Sequence, residues 1–311
     1  MRCPAKLNLN LRLLGKRSDG YTELDSVVGL LDCYDDLAIR LRTEVDVPKH
    51  NAILLQDVAW SSNDTALQDL GEANLVMRAI RALQAAWKTH HDVVASDFPN
   101  VAIHLEKRLP YQAGLGSASS NAALALEGYH QLLSESAGFP PLSQETLARL
   151  GASLGSDVPL FLQKSPFVRM QGRGEIVSSI EVPSYFTHGV QLLIAQPHSL
   201  AISTQEAYAW FHQHNTYRPK EEAVFQQIQA GETLKALWEF WTNDFESVIL
   251  ARYPHLQELI TAFYELGAFH VMLCGSGSAW VAFYDAEGLP TPTQQADLAQ
   301  RLNCRLWQTD F

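Results

Sequence analysis

The stretch LPYQAGLGSASSNAALALEGYHQLL, residues 109–133, joins a loop of small residues to an alanine-rich helical pattern. Gly114 and Gly116 carry no Cβ, so the backbone can turn sharply there and come close to a ligand. From about Ser120 onward, apolar residues recur at spacings of three and four, which predicts a helix with one buried face. The loop therefore leads directly into the first turn of a helix.

A helix that starts at such a loop is a candidate anion site. Its first turn has unpaired N–H groups, and the helix dipole adds roughly +0.5 charge there. The residues that could face a phosphate are Gly114, Leu115, Gly116, Ser117, Ala118, Ser119, Ser120 and Asn121. A serine-capped helix after a glycine turn explains the same pattern without a ligand, so both interpretations stay open at this point.

Two well-known phosphate loops do not fit this stretch. A Walker loop ends in Gly-Lys-Ser/Thr, and no lysine follows these glycines. A dinucleotide fingerprint needs a third glycine after Ser117-Ala118 and an acidic residue at the end of the next strand. Glu135 lies instead at the tail of the predicted helix. The loop therefore belongs to neither class.

Composition limits the range of functions. The chain has 311 residues, of which 47% are hydrophobic, and a formal net charge of -11. The hydrophobic content predicts a globular protein. Nucleic acids and anionic membrane surfaces both attract basic patches, so we expect this acidic chain to bind neither. The four cysteines form no C-x-x-C pair, and no segment predicts a signal peptide or a membrane span. We expect a reduced, cytoplasmic protein, either a monomer or a weak homodimer.

The N-terminal segment alternates in polarity. Between Ala5 and Leu14, leucines occupy one face and polar residues, among them Lys6 and Asn8, occupy the other, which predicts a half-buried strand. The polar face lies either in solvent or in a cleft, and the pattern alone favours solvent. A second strand is predicted after Tyr21, and Asp35-Asp36 predicts a turn at its end.

Further elements flank the glycine loop. Asn74 is predicted to cap a helix that runs to about His90, and Val101 to Leu105 alternates as a strand leading into the loop. A helix from about Ser143 to Leu154 should end at Gly155. Asp157 follows in a constrained link, because Pro159 disfavours helical geometry at the residue before it. Asp157 either caps a turn or presents a rigidly held carboxylate.

The second half of the chain contains a further series of predicted strands and helices. Hairpins are predicted at 167–180 and 269–284, the latter with Gly275-Ser276-Gly277 at its centre. Helices are predicted at 203–214, 221–229, 234–250 and 256–266. The eleven histidines show no metal-ligand spacing, so no metalloenzyme is predicted.

Three separated segments together carry a family resemblance. PAKLNL at residues 4–9, the stretch 109–121, and LCGSGS at 273–278 resemble the three motifs of the superfamily of galactokinase, homoserine kinase and mevalonate kinase, the GHMP kinases. The agreement in order and spacing covers nearly the whole chain. The resemblance implies an α+β fold with two domains: an ATP- and substrate-binding domain of the ribosomal-protein-S5-like type at 1–165, and an α/β domain with an antiparallel sheet at 166–311, with a cleft between them.

Within that superfamily, PAKLNLNLRLLGKRSDGYTEL and LGSDVPLF resemble the branch that uses ATP to phosphorylate the 2-hydroxyl of 4-diphosphocytidyl-2-C-methyl-D-erythritol, in non-mevalonate isoprenoid biosynthesis. The implied catalytic pair is Asp157, which accepts the hydroxyl proton, and Lys6, which keeps Asp157 ionised and neutralises the phosphoryl group. The resemblance also implies Mg²⁺, without assigning its protein ligand.

The resemblance assigns binding residues as well. Asn8 matches a position that contacts the hydroxyl-bearing end of the substrate, and Tyr21 and Tyr208 match two aromatics that stack on cytosine. Asn74 and Leu75 match residues of the adenine pocket. The third motif, Gly275, Ser276 and Gly277, completes the nucleotide site.

The chain departs from the family pattern at two places. Thr22 stands where the family usually has a histidine that bonds to cytosine, and GLGSASS replaces the common GLGGGSS. Positive φ at Ser117 or Ala118 would be strained. Because of Thr22, a kinase of the same superfamily acting on another hydroxyl remains an alternative. A catalytically silent nucleotide sensor is a third, although the presence of both Lys6 and Asp157 argues against it.

Overall fold

The structure is a computed structural model, and it describes residues 1–42, 52–91, 93–214, 217–220 and 222–311. Its strands are β1 (Arg2–Lys16), β2 (Thr22–Leu41), β3 (Ile53–Leu55), β4 (Val58–Ser62), β5 (Val101–Glu106), β6 (Phe167–Gly172), β7 (Ile176–Ser179), β8 (Val190–Pro197), β9 (His270–Leu273), β10 (Trp280–Asp285) and β11 (Cys304–Thr309). Its α-helices are α1 (Thr65–Asp69), α2 (Leu75–His90), α3 (Ser117–Ser136), α4 (Gln144–Leu154), α5 (Val158–Phe161), α6 (Thr204–His214), α7 (Ala223–Gln229), α8 (Glu246–Arg252), α9 (Leu256–Glu265) and α10 (Pro292–Arg301). This mixture confirms the α+β prediction.

The chain forms two compact units, each built from several pieces. Unit 1 contains Met1–Ala5, Tyr34–Pro110 and Gly116–Lys164, and unit 2 contains Lys6–Cys33, Tyr111–Leu115 and Ser165–Phe311. The predicted domains at 1–165 and 166–311, and the cleft between them, stay a prediction.

Unit 1 places a strand directly before the glycine-loop helix. β5 pairs antiparallel with residues 36–41 of β2 and parallel with β4, and β3 pairs with β4. Helix α2 buries Trp87 completely, and its ring meets Tyr129 of α3 edge-on at 6.2 Å. Asn74 caps α2 by accepting a hydrogen bond from the Val76 N–H at 2.8 Å, as predicted. The order strand, loop, helix is confirmed.

Unit 2 contains a four-stranded antiparallel sheet in the order β11-β8-β10-β9. Its core includes Trp241, Trp280 and Phe283, all nearly inaccessible to solvent. The predicted antiparallel sheet and both predicted hairpins are therefore present, since β6 also pairs antiparallel with β7. β6 in turn pairs with residues 24–29 of β2.

Some local predictions were wrong or fall outside the described residues. No turn occurs at Asp35-Asp36, because β2 continues to Leu41. The predicted helix at 234–250 is a short 3-10 turn followed by α8. The predicted helix at 221–229 begins at residue 221, which lies outside the described residues. No helix in the described part of the chain is both long and apolar enough to span a bilayer.

Candidate functional site

Three segments of unit 2 meet at Lys6. The Lys6 backbone N–H donates to the Leu115 carbonyl at 2.9 Å. A Cβ on Gly114 would lie 1.7 Å from the Cys274 carbonyl oxygen, and one on Gly275 would lie 2.7 Å from the Gly114 oxygen and 3.3 Å from the Lys6 amine. Both glycines also have positive φ. Only glycine allows this approach of the two backbones, and the approach sets the Lys6 ammonium beside them.

A chain of hydrogen bonds orients the Lys6 side chain. Its ammonium donates to the side-chain oxygen of Asn8, and the Asn8 amide nitrogen donates to the Ser26 hydroxyl at 2.9 Å. Because the Asn8 amide nitrogen is bonded to Ser26, the Asn8 oxygen points toward the Lys6 ammonium. Lys6 is only 5% exposed and Asn8 only 3%. The sequence pattern favoured solvent for this face; that expectation was wrong, because the polar groups find partners inside unit 2.

The loop of the third motif, residues 273–278, is held in place by hydrogen bonds from other segments of unit 2. The Asn243 side-chain amide donates to the carbonyls of Leu273 and Gly275, at 2.9 and 2.6 Å. The Ser276 hydroxyl pairs with the Thr204 hydroxyl at 3.1 Å, and the Gly277 N–H closes a turn onto the Cys274 carbonyl. The sequence pattern did not predict a role for Asn243, because the helix predicted at 234–250 replaces what is an irregular segment around this residue.

Helix α3 starts earlier than the sequence pattern indicates. It begins at Ser117 rather than at about Ser120, after Gly116 in the left-handed conformation. Ser117 and Ala118 are not among the residues with positive φ, so the strain that positive φ would cause at these positions does not arise. Serine and alanine are better helix formers than glycine, which accounts for the earlier start. The open first turn therefore consists of Ser117, Ala118 and Ser119.

A buried ion-pair cluster in unit 1 fixes the start of α3. The Asp35 carboxylate is completely buried and accepts bonds from the Lys107 ammonium at 2.7 Å and the Asn121 amide at 3.0 Å. It also accepts the backbone N–H groups of Arg108 and Leu109, both at 2.7 Å. Burial lowers the pKa of Lys107, and the Asp35 charge opposes that shift. The sequence did not predict this cluster, because an Asp-Asp pair is typical of a turn.

The other predicted phosphate-binding residues differ in environment. Lys107 donates to the Ser117 hydroxyl at 3.1 Å, so this hydroxyl is engaged within unit 1. Ala118 is exposed, and Ser119 is partly exposed. Within the described residues, the buried Ser120 hydroxyl and the Asn121 side-chain oxygen have no hydrogen-bond partner. The helix start thus offers Ser119 and backbone N–H groups to a ligand.

Asp157 lies on a short link next to this helix start. A Cβ on Gly155 would lie 3.8 Å from the Ser119 hydroxyl oxygen, so the link passes close to α3 within unit 1. Asp157 precedes α5, whose first residue is Val158. Pro159 was predicted to disfavour helical geometry at Val158, but Val158 is the first residue of α5. A proline is tolerated in a first helical turn, where its missing N–H is not needed.

The predicted substrate residues Tyr21, Thr22 and Tyr208 all lie in unit 2. Tyr21 is 51% exposed, with the Arg173 guanidinium 4.8 Å from its ring centre. Thr22 is buried, and its hydroxyl lies 3.1 Å from Nε2 of His212. The Tyr208 ring packs edge-on against Phe245 at 4.9 Å.

The predicted nucleotide-binding residues Asn74 and Leu75 lie at the start of α2, where the Asn74 amide also donates to the Leu67 carbonyl at 3.3 Å. Lys6 belongs to unit 2 and Asp157 to unit 1. Their joint catalytic role stays a prediction, as do the ligand contacts of the other site residues. The described residues contain no group of three or more histidine, cysteine or acidic side chains that could hold a metal ion.

Comparison with known proteins supplies the family. The model of the GHMP kinases N terminal domain matches residues 74–164, and that of the GHMP kinases C terminal matches 223–307. A 4-diphosphocytidyl-2-C-methyl-D-erythritol kinase of Bacteroides thetaiotaomicron is 32% identical over 284 residues, covering 91% of each chain. The kinase of the same name from Salinibacter ruber is 31% identical and covers 91% of this chain and 88% of its own.

A solved structure extends this likeness to three dimensions. The crystal structure of a 4-(cytidine 5'-diphospho)-2C-methyl-D-erythritol kinase superposes with a TM-score of 0.68 at 25% identity, covering 99% of this chain and 97% of the other. The likeness therefore spans both compact units, including the segments that carry Lys6, the glycine loop and Asp157. The chain belongs to the GHMP kinases, which are small-molecule kinases, and within them to the 4-diphosphocytidyl-2-C-methyl-D-erythritol kinase family.

Proposed function

We propose that the protein transfers the γ-phosphoryl group of ATP to the 2-hydroxyl of 4-diphosphocytidyl-2-C-methyl-D-erythritol, a step of non-mevalonate isoprenoid precursor biosynthesis. The observation that carries the proposal is the Lys6 ammonium beside the touching backbones of Gly114 and Gly275. A fixed positive charge next to a glycine-rich backbone suits a transferring phosphoryl group, and the relatives named above bear the name of this kinase.

The glycine loop and the start of α3 would bind the phosphates of ATP. The first turn of a 20-residue helix offers unpaired N–H groups and the positive end of its dipole. The Asp35 cluster holds the backbone before the loop, so these donors are positioned before the ligand arrives. Asn74, Leu75 and the third-motif residues would complete the nucleotide site.

Lys6 and Asp157 would perform the chemistry. Asp157 would accept the proton of the substrate hydroxyl, while Lys6 would neutralise charge on the phosphoryl oxygens. Asn8, which already bonds to Lys6, would contact the hydroxyl-bearing end of the substrate. Because the transition state of phosphoryl transfer is loose, positioning and charge neutralisation contribute more than the basicity of Asp157.

Mg²⁺ would accompany ATP. This ion usually keeps several waters and takes only one or two protein ligands beside the phosphates, so a site without a cluster of acidic residues is compatible with it. The Ser119 hydroxyl at the helix start is a hard oxygen donor of the type that Mg²⁺ accepts. The metal would supply neutralisation of phosphate charge.

The test is ADP release measured with the cytidylyl polyol, homoserine, mevalonate and galactose as acceptors. We expect turnover with the cytidylyl polyol at a kcat/KM at least about a hundredfold above the other three. Turnover with one of the others and none with the cytidylyl polyol would establish the alternative, a GHMP kinase acting on another hydroxyl. ATP binding without turnover of any acceptor would favour the silent sensor.

We also propose that the protein acts in the cytoplasm as a monomer or weak homodimer, without nucleic acid or membrane partners. The net charge of -11 supports the lack of polyanionic partners, because phosphate backbones and anionic lipids repel an acidic surface. Sedimentation across a range of protein concentrations measures the oligomeric state.

A further inference from the structure

The irregular segment that precedes α8, residues 240–245, is called the bridging segment here, and it lies against strand β1. The Leu11 N–H donates to the Thr242 carbonyl at 2.8 Å, and the Asp244 N–H donates to the Leu11 carbonyl at 3.0 Å. These two bonds form a parallel bridge between the segment and the strand. Because β1 also carries Lys6, the bridging segment is fixed to the strand that positions this lysine.

Asn243, in the middle of the bridging segment, bonds to the loop of the third motif. Its side-chain nitrogen donates to the carbonyls of Leu273 and Gly275, at 2.9 and 2.6 Å, and its side-chain oxygen accepts from the Phe245 N–H at 3.0 Å. Carbonyls can only accept and a backbone N–H can only donate, so these partners fix which end of the amide faces the loop. Asn243 is only 5% exposed, so its bonds are shielded from water.

The loop that Asn243 holds borders the Lys6 ammonium. A Cβ on Gly275 would lie 3.3 Å from the Lys6 amine nitrogen and 2.7 Å from the Gly114 carbonyl oxygen. The Ser278 N–H donates to the Gln112 carbonyl at 3.0 Å, which joins the other end of the loop to the segment before Gly114. All of these residues belong to unit 2. A shift of the loop would therefore change the immediate surroundings of the ammonium.

We propose that Asn243 is a positioning residue that holds the third-motif loop and the Lys6 ammonium in fixed relation to each other for phosphoryl transfer. The inference rests on the proposed function, because that function gives Lys6 its role toward the phosphoryl group. The bridging segment bonds to β1 through its backbone and to the loop through Asn243, so the two cannot move apart. Positioning of this kind matters, since a misplacement of about 1 Å can lower a rate about a hundredfold.

The test compares two buried asparagines. Asn243→Leu keeps the size of the side chain and removes its three hydrogen bonds. Asn10→Leu is the matched control, because Asn10 is 2% exposed and its amide donates to the Phe240 carbonyl of the same bridging segment at 3.1 Å. Melting temperatures establish that each variant is folded. If Asn243→Leu does not fold, Asn243→Ser takes its place, since it leaves room for water beside the two carbonyls.

We expect Asn243→Leu to lower kcat by about tenfold to a hundredfold, with the KM for the cytidylyl polyol changed by less than about threefold. Asn10→Leu should lower the melting temperature by a similar amount but change kcat by less than about threefold. Steady-state ADP release measures these constants. Equal kcat values for the two variants would overturn the inference, because the role of Asn243 would then be structural only.

A double variant tests whether Asn243 acts through Lys6. In the Lys6→Met background, where no ammonium remains to be positioned, Asn243→Leu should change kcat by less than about twofold. The two substitutions are then strongly non-additive, as expected of residues that act as one unit. If Asn243→Leu lowers kcat by the same factor in both backgrounds, Asn243 acts independently of Lys6 and the inference fails.

Amide hydrogen exchange separates this inference from the proposed function, because it needs no turnover. The N–H groups of Gly277 and Ser278 donate to the carbonyls of Cys274 and Gln112, so their exchange rates report opening of the loop. Asn243→Leu should speed their exchange at least about tenfold relative to Asn10→Leu. If it does so but the unmodified protein phosphorylates no acceptor, the proposed function fails while the hold of Asn243 on the loop is established. Turnover of the polyol that Asn243→Leu leaves unchanged gives the reverse result.

Discussion

The side chains of Lys6 and Lys107 are both buried, and they donate hydrogen bonds to different kinds of acceptor. Lys107 donates to the Asp35 carboxylate, so its positive charge is neutralised inside unit 1. Lys6 donates to the side-chain oxygen of Asn8, which is neutral, and lies beside glycine backbone in unit 2. The Asn8 bond orients the ammonium. We therefore expect the Lys107–Asp35 ion pair to contribute to stability, and Lys6, beside the glycine backbone, to act on an anionic ligand.

The largest effect should come from removing the charge of Lys6. We expect Lys6→Met to lower kcat by about a hundred- to a thousandfold, because a positioned charge stabilises the transition state in a water-poor site. The melting temperature should change little by comparison. Steady-state ADP release and calorimetry measure the two quantities, and Lys164→Met, at a highly exposed lysine, is the control. A stability loss with normal turnover would reverse the roles of the two lysines.

For Asp35 we expect the reverse of Lys6, a loss of stability rather than a loss of turnover. Asp35→Ala should lower the free energy of unfolding by about 3–5 kcal/mol, because it leaves the Lys107 charge buried without this partner. The half-exposed neighbour Asp36, which pairs with Arg108 at 2.8 Å, is the control, and Asp36→Ala should cost less than about 1 kcal/mol. Urea unfolding measures both.

A double variant separates charge from hydrogen bonding in this cluster. Asp35→Leu with Lys107→Met should recover part of the stability, because no unpaired charge remains. Recovery should be incomplete, since two backbone N–H groups also lose their acceptor. If the double variant is no more stable than Asp35→Ala, the ion pair is not the main contribution of Asp35.

A substitution at Asp157 tests whether this residue is the catalytic partner of Lys6, as predicted. Asp157→Asn should lower kcat by at least about a hundredfold, in line with loss of a general base, while ATP affinity changes little. Asp69→Asn, at an exposed position, serves as the control. Near-normal turnover by Asp157→Asn would show that another group accepts the proton.

Glu246 extends the comparison to a partly buried acid that accepts a hydrogen bond from the Leu273 backbone N–H at 2.9 Å. Burial raises its pKa to about 7, above the ordinary value of 4.5. The folded state then binds more protons than the unfolded state between these values, so the contribution of Glu246 to stability is highest below about pH 4.5 and is lost as the pH rises through 7.

The variant Glu246→Gln isolates this effect. Relative to the unmodified protein, it should gain stability on going from pH 5 to pH 8, by of the order of 2 kcal/mol. Urea unfolding at the two pH values measures the difference. A difference that does not change with pH would mean that Glu246 is ionised in the folded protein throughout this range.

The smallest effect should come from Ser26, which supports Lys6 only through Asn8. Ser26→Ala removes the acceptor of the Asn8 amide nitrogen, so the Asn8 side chain can flip and turn its oxygen away from Lys6. We expect kcat to fall by about three- to tenfold with little change in the KM for ATP. The exposed Ser178→Ala is the control, and equal kinetics in the two variants would remove Ser26 from the support of Lys6.

The sequence by itself determined the elements whose signals are local. Alternation predicted the strand that carries Lys6, Asn74 predicted the start of α2, and the spacing of apolar residues after the glycine loop predicted α3. The three separated motifs identified the superfamily. These features depend on periodicity, capping and backbone freedom, which act over a few residues and can be read without knowing what packs against them.

Only the tertiary structure decided which polar residues are buried and what they contact. Asp35 looked like part of a turn, Lys6 looked solvent-exposed, and nothing in the sequence connected His212 with Thr22, 190 residues away. Burial of a polar side chain costs free energy unless it finds a hydrogen-bond partner, and the partners of Asp35 and Lys6 include residues that the local pattern does not reveal. The physical reason for these errors is therefore that local patterns record the polarity of a residue, whereas its environment is set by the folded chain.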